Sequence, residues 1–195
     1  MSTLAIPQTA ASTWNLDAAH SVAEFKVKHM MISNVKGQFT KLTGALHFDE
    51  QDITKSTVEA SIEATSIHTR DEQRDAHLKS ADFFDVEKYP KITFKSTKVT
   101  PTGNNEYRVT GDLTMHGVTK EETLHADYSG QVKDLYGLQR AAFSVKGKIN
   151  RKDFGLNWNV GLEAGGVLVG EDVNIEIDLA AVQKAAVQEA ATQTA

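Results

Sequence analysis

Apolar residues fall on every second position in one segment after another, and each segment is apolar on one face only, so strands have to build the interior of this chain. In residues 20–29 the apolar set is Ala23, Phe25 and Val27, while Glu24, Lys26 and Lys28 face the other way. The same alternation carries Val58, Ala60, Ile62 and Ala64, then Ile92 and Phe94, then Tyr107, Val109, Leu113 and Met115. It continues through Leu124, Ala126 and Tyr128, through Phe143, Val145 and Ile149, and ends with Val173, Ile175, Ile177 and Leu179. With the long segment 35–49 this makes about eight strands, enough to close an antiparallel barrel. A flat sandwich is the main competitor.

The alternation slips within 35–49. Val35, Gly37 and Phe39 are in phase, whereas Leu42, Gly44, Leu46 and Phe48 have the opposite parity. One extra residue near Thr40 and Lys41 predicts a β-bulge. Gly37, Gly44, Gly111 and Gly147 all stand on the apolar parity, where glycine permits the sharp coiling that closure demands. Each missing side chain is also expected to leave open space in which a ligand could lie.

At 195 residues and 40% hydrophobic content the chain fits one domain. The barrel is assigned to 14–182, with an N-terminal extension at 1–13 and a C-terminal tail at 183–195. No apolar run approaches the roughly 20 residues that span a bilayer, so no stable membrane insertion is expected. Residues 1–13 lack the basic start and apolar run of a secretory signal, which makes a cytoplasmic location the expectation. The absence of cysteine removes disulfides and thiolate chemistry. The net charge of -5 is spread without a basic block, which argues against nucleic acid and against an anionic membrane surface as partners.

One helix is expected over residues 70–80, capped by Thr69 with Glu72 as its capping-box partner. Phe83 and Phe84, just beyond it, are expected to plug one barrel end. Alternation fails over 150–170, which is too long for a simple connection and too apolar for disorder, with Phe154, Leu156, Trp158, Val160 and Leu162. This stretch reads as a lid or mouth. The alanine- and glutamine-rich stretch 180–195 reads either as a docked helix or as a frayed extension.

Several motifs in order resemble the YceI-like family of small bacterial lipocalin-like proteins, also called polyisoprenoid-binding proteins. They are Trp14-x-Leu16-Asp17-x-x-His20-Ser21-x-x-x-Phe25-x-Val27-x-His29 and Gly37-x-Phe39-x-x-Leu42-x-Gly44-x-Leu46-x-Phe48-Asp49, followed by Ser66-Ile67-x-Thr69 and Arg74-Asp75-x-His77-Leu78. Tyr89-Pro90-x-Ile92-x-Phe94, Gly111-x-Leu113-x-Met115-His116-Gly117 and Arg151-x-Asp153-Phe154-Gly155-x-x-Trp158 complete the set. The resemblance implies an all-β fold, an extended eight-stranded antiparallel barrel with one short helix and a long lid loop. It further implies a bound isoprenoid quinone, polyisoprenoid or fatty-acid-like lipid, no other cofactor, and a homodimer. Two departures stand out. The secretion signal common in the family is absent, leaving a periplasmic site as the alternative location, and Glu122 stands where the family has an apolar residue.

Parity and resemblance together nominate the ligand-facing residues. Phe25, Val27 and His29 come from one strand, Phe39, Leu46 and Phe48 from the next, and Phe94, Leu113, Met115, Phe143 and Ile175 from later ones. Phe154 and Trp158 come from the lid. His29 is singled out because a lone inward imidazole can hydrogen-bond a head-group oxygen, although a core histidine satisfied by backbone is an equal reading.

Catalytic and metal chemistry find little support. Asp17, His20 and Ser21 supply the parts of a triad, but His20 and Ser21 are adjacent and on a strand would face opposite ways. The seven histidines form no metal-ligand spacing. The expected function is therefore non-catalytic binding, transport or storage of a long-chain amphiphile. The alternatives are an enzyme acting on a lipophilic substrate through His29, Glu122 or an Arg151–Asp153 pair, and a fully packed structural dimer without ligand.

Overall fold

Alternating segments become strands of one continuous antiparallel sheet. The computed structural model describes residues 12–49, 51–163 and 165–184. The strands are β1 (Ser12–Leu16), β2 (Val22–His29), β3 (Ser33–Phe39), β4 (Leu42–Phe48), β5 (Thr57–Glu63) and β6 (Ile67–His68). After the helix α1 (Glu72–Lys79) come β7 (Lys91–Gly103), β8 (Glu106–Met115), β9 (Val118–Lys133), β10 (Gln139–Asn150) and β11 (Val169–Gln183).

The first six are halves of three long, kinked strands. β1 pairs β4 with Trp14 opposite Leu46, and β2 pairs β3 with Phe25 opposite Gly37. On the other side β4 pairs β5 and β3 pairs β6. Around the ring β5, β7, β8, β9, β10 and β11 follow in order, and β11 closes it by pairing β2 along its first part and β1 at its end. The result is an eight-stranded barrel closed through β11, which removes most of the exposed ladder groups an open sheet would present. β6 pairs β3 alone, and the β9–β10 ladder ends at His125 opposite Lys146.

The parity slip at Thr40 and Lys41 is a full break between β3 and β4 rather than a one-residue bulge. Phe39 and Leu42 both point inward, at 8% and 3% exposure. The orphaned donors are satisfied by a 3-10 turn at Ala64–Ser66, where the Thr40 N–H reaches the Ser66 carbonyl (3.3 Å) and the Lys41 N–H reaches Ser66 Oγ (3.2 Å). A second slip lies in β7, between Ser96 and Lys98. It turns Ser96 inward, where its hydroxyl accepts the Val58 N–H at 2.9 Å.

The strand glycines do not leave open space. A Cβ at Gly111 would meet the Phe94 ring at 2.7 Å and the Lys95 carbonyl, and one at Gly37 would meet the Phe25 ring. Glycine is needed there because a neighbouring ring or backbone already fills the volume.

Helix α1 is capped by Asp71, which accepts the Arg74 N–H at 3.0 Å, and not by Thr69. Thr69 is buried instead, and its hydroxyl and N–H both donate to Asp75 Oδ1, at 2.6 and 2.8 Å. Burial raises the Asp75 carboxyl, but the Thr69 hydrogen bonds and that of His68 outweigh it and hold the group below its usual range. At the chain ends, β1 takes in Ser12 and Thr13, and β11 continues through Gln183, so 180–183 are strand, neither helix nor frayed. The remainder of the expected extension and tail, 1–11 and 185–195, lies outside the described residues.

Two apolar clusters fill the barrel ends. One gathers Trp14, Phe48, Ala141 and Ala181 with Tyr128 and Phe143 around them. The other gathers Phe39, Ile67, Phe83, Ile92, Met115, Phe154 and Leu156, with Leu78 and Phe84 of the α1 region packed against it. Phe83 and Phe84 thus plug one end, as their position after the helix predicts.

Candidate functional site

Between the two clusters the inward side chains do not meet. They enclose a cavity of ≈ 270 Å³ whose wall extends from Phe48, Ile53 and Phe143 at one end to Val27, Leu156 and Val169 at the other. Nearly all of that wall is carbon. A volume just under the roughly 300–1,000 Å³ of ordinary ligand pockets, drawn out along a barrel, has the proportions of a slim chain.

Of the nominated residues, Phe25, Val27, Phe39, Leu46, Phe48, Phe94, Leu113, Met115, Phe143 and Ile175 line this cavity. His29, Phe154 and Trp158 do not. His29 ends β2 beside the turn, opposite Ser33 and Val169, beyond the wall. Phe154 is fully buried in the end cluster, with its carbonyl bonded to His116 Nδ1 at 3.1 Å. Trp158 forms a layer outside the plug, with its ring 5.2 Å from Phe83 and 4.7 Å from His77. Parity could not separate these three from the wall, because His29 is the last residue of β2 and Phe154 and Trp158 lie in the loop that follows β10.

The lid is held by a residue that the sequence offers as a motif position and as a possible acid–base partner. Arg151 is 4% exposed. Its guanidinium donates to the carbonyls of Gly170 (2.8 Å), Val169 (3.3 Å) and Leu156, joining both ends of the loop. Burial lowers its affinity for the proton and Glu171 partly restores it. Asn159 adds a second clasp, donating to the Val169 carbonyl at 2.7 Å and accepting the Val169 N–H at 3.0 Å. No Arg151–Asp153 pair forms, since Asp153 bonds Lys120 at 3.2 Å.

Glu122 lines the cavity with its stem, where the β9–β10 ladder has already stopped at His125 opposite Lys146. Burial, and then the Asp153 carboxylate, push its carboxyl above the usual range, with Lys120 opposing. Folding therefore favours the protonated form, and stability present below the ordinary value of 4.5 is lost as pH rises through the raised folded value. We expect Glu122→Gln to melt like the wild type at pH 4 and higher than it at pH 7. An equal difference at both pH values would contradict this.

The triad parts are dispersed. Asp17 Oδ2 accepts from Arg140 Nη1 at 2.6 Å and lies 2.9 Å from His20 Nδ1. The arginine first, then the histidine, lowers Asp17 to about 2. Ser21 Oγ is engaged by the Ala180 backbone at 3.0 Å, so the cluster pins the β1–β2 turn against its neighbours and presents no nucleophile to the imidazole. Among the described residues no group of three metal-ligating side chains converges, and no helix is long and apolar enough to cross a membrane.

Comparison with known proteins matches residues 14–181 to the YceI-like domain. A UPF0312 protein of Staphylococcus aureus is 42% identical over 166 residues, covering 85% of this chain and 94% of its own length. The Campylobacter jejuni YCEI protein superposes with a TM-score of 0.69 at 34% identity, over 82% of this chain and 91% of that one. A polyisoprenoid binding domain from Saccharophagus degradans shares the fold, with a TM-score of 0.61 at 15% identity over 89% and 99% of the two chains.

Proposed function

The chain belongs to the YceI-like family, and from that membership we propose that it binds, stores or carries a long-chain amphiphilic lipid without catalysing a reaction. The observation that carries this reading is the almost wholly apolar cavity between two packed ends. A fully packed barrel would have no such void. The description of one structural neighbour as a polyisoprenoid binding domain supports the same class of ligand. An isoprenoid quinone, a polyisoprenoid or a fatty-acid derivative each supplies a slim apolar chain for this wall.

Magnitudes favour a long tail. Each buried methylene contributes about 0.8 kcal/mol, against an association cost of roughly 4–15 kcal/mol. A wall with almost no polar atoms would leave a charged head uncompensated, so the head belongs at a cavity end. The enzymatic reading has little to work with: His29 stands off the wall, Arg151 is committed to carbonyls, and the carboxylate nearest Glu122, Asp153, is held by Lys120.

The test is a titration of purified, delipidated protein with homologous chains. Affinity is expected to rise about fourfold per added methylene and to level off once the chain outgrows the cavity. Affinity independent of chain length would overturn the reading.

A further inference from the structure

The turn that joins β2 to β3 exposes three consecutive large apolar residues, Met30 at 44%, Met31 at 54% and Ile32 at 83%. Met30 and Met31 have φ of 50° and 64°, and the Ile32 N–H bonds back to the His29 carbonyl at 3.3 Å. Turns with two positive φ values favour asparagine and glycine, so neither burial nor backbone preference accounts for methionines here. Val160, on the lid loop, is exposed at the same barrel end, and the Met31 side chain lies beside Gly166 of that loop.

Behind this tip the β2–β3 register assembles a basic face. Lys26 stands directly opposite Lys36, and Lys28 follows on the same outward face of β2. Like charges facing across a ladder repel, and none of the three lysines forms an ion pair among the described residues. The acids of β11 at this end are engaged, Glu171 by Lys152 at 2.5 Å and Asp172 by Lys148 at 2.6 Å, while Glu24 of β2 and Glu176 and Asp178 of β11 lie further along the barrel, away from the turn. A chain with net charge -5 therefore concentrates free positive charge beside one of its two exposed apolar turns, the other being the β9–β10 turn with Val132, Leu135, Tyr136 and Leu138. The cavity is close by: Val27, three residues before Met30, and Val169, paired with His29, both line it.

We propose that the Met30–Met31–Ile32 turn, backed by Lys26, Lys28 and Lys36, docks the barrel on an anionic lipid bilayer, with the apolar tip entering the interface and the lysines facing lipid head groups. An amphipathic tip of this kind gains from both apolar burial and attraction to anionic lipid. It departs from the expectation, drawn from a net charge of -5 without a basic block in sequence, that an anionic membrane surface is an unattractive partner. Coupling it to cargo exchange rests on the lipid-binding reading, since docking here would bring one cavity end to the bilayer.

The test is co-sedimentation of the full chain with vesicles of phosphatidylcholine alone or mixed with phosphatidylglycerol, at low and at physiological salt. Wild type is expected to bind the mixed vesicles, more weakly as salt rises. Replacing Lys26, Lys28 and Lys36 by Gln should lower that binding about a hundredfold at low salt, near fivefold per lysine. Replacing Met30, Met31 and Ile32 by Ser should lower it tenfold or more, and melting curves matching the wild type will show that both variants fold. Wild type failing to bind mixed vesicles, or either variant binding like wild type, would overturn the proposal. So would a tip variant that changes only the oligomeric state, which would assign the tip to a second copy of the chain. Chain titration of the cavity in the same variants, without vesicles, separates this outcome from failure of the lipid-binding reading.

Discussion

Arg151→Met is expected to destabilise the barrel by about 3 kcal/mol, lowering its thermal midpoint by roughly 6–12 °C. The guanidinium serves the carbonyls of Gly170, Val169 and Leu156, and each buried acceptor left without a donor costs about 1–3 kcal/mol. Relief of a buried charge without a carboxylate hydrogen-bonded to it offsets part of that sum. Arg151→Lys should recover only a fraction, because one ammonium cannot follow the planar fork to three carbonyls. The same substitutions loosen the base of the lid, so a bound chain should dissociate faster from Arg151→Met than from wild type. A urea midpoint and a thermal midpoint within error of the wild type would show that the clasp is not structural.

Filling the cavity has the opposite balance of effects. Val109 and Leu113 lie on β8, on the same inward face, and both line the void. The double substitution Val109→Phe and Leu113→Phe places rings into empty volume, where added carbon gains contacts instead of displacing packed neighbours. We expect stability to hold or rise while affinity for a long-chain ligand falls at least tenfold, read by the chain-length titration. The contrast with Gly111 between them is instructive. There the Phe94 ring and the Lys95 carbonyl occupy the space, and a side chain would cost stability without touching the ligand. Unchanged affinity in the filled variant would mean that the chain binds elsewhere.

How far the residues announce all this depends on how local the determining contact is. The inward faces of β2, β5 and β11 are legible because alternation is a property of the strand itself. β1 is harder to see, being five residues long, with its burial of Trp14 arising only from pairing with β4 and β11. The extent of β9 is masked by Glu122, which breaks the apolar parity while remaining in register opposite Gly111.

The site was legible in the same proportion. Strand residues such as Phe25, Phe94 and Leu113 follow from parity, whereas His29, Phe154 and Trp158 sit where the strands end and parity says nothing. Arg151 was visible as a motif residue, but its partners are backbone carbonyls, which carry no residue-type signature. The sequence points to Thr69 as the cap, whereas the role falls to Asp71 because Thr69 holds Asp75. The lysine face is a product of register, since Lys26 and Lys36 are ten positions apart and meet only across the β2–β3 ladder.

The central claim is that the barrel interior shelters one apolar chain. Its most direct test is denaturing solvent extraction of the purified protein followed by mass spectrometry of the organic phase, with the cavity-filled double variant processed in parallel. The account predicts a long-chain apolar compound in near-stoichiometric amount from the wild type and its loss from the filled variant. An extract without such a compound, from protein that also takes up no added chain, would contradict it.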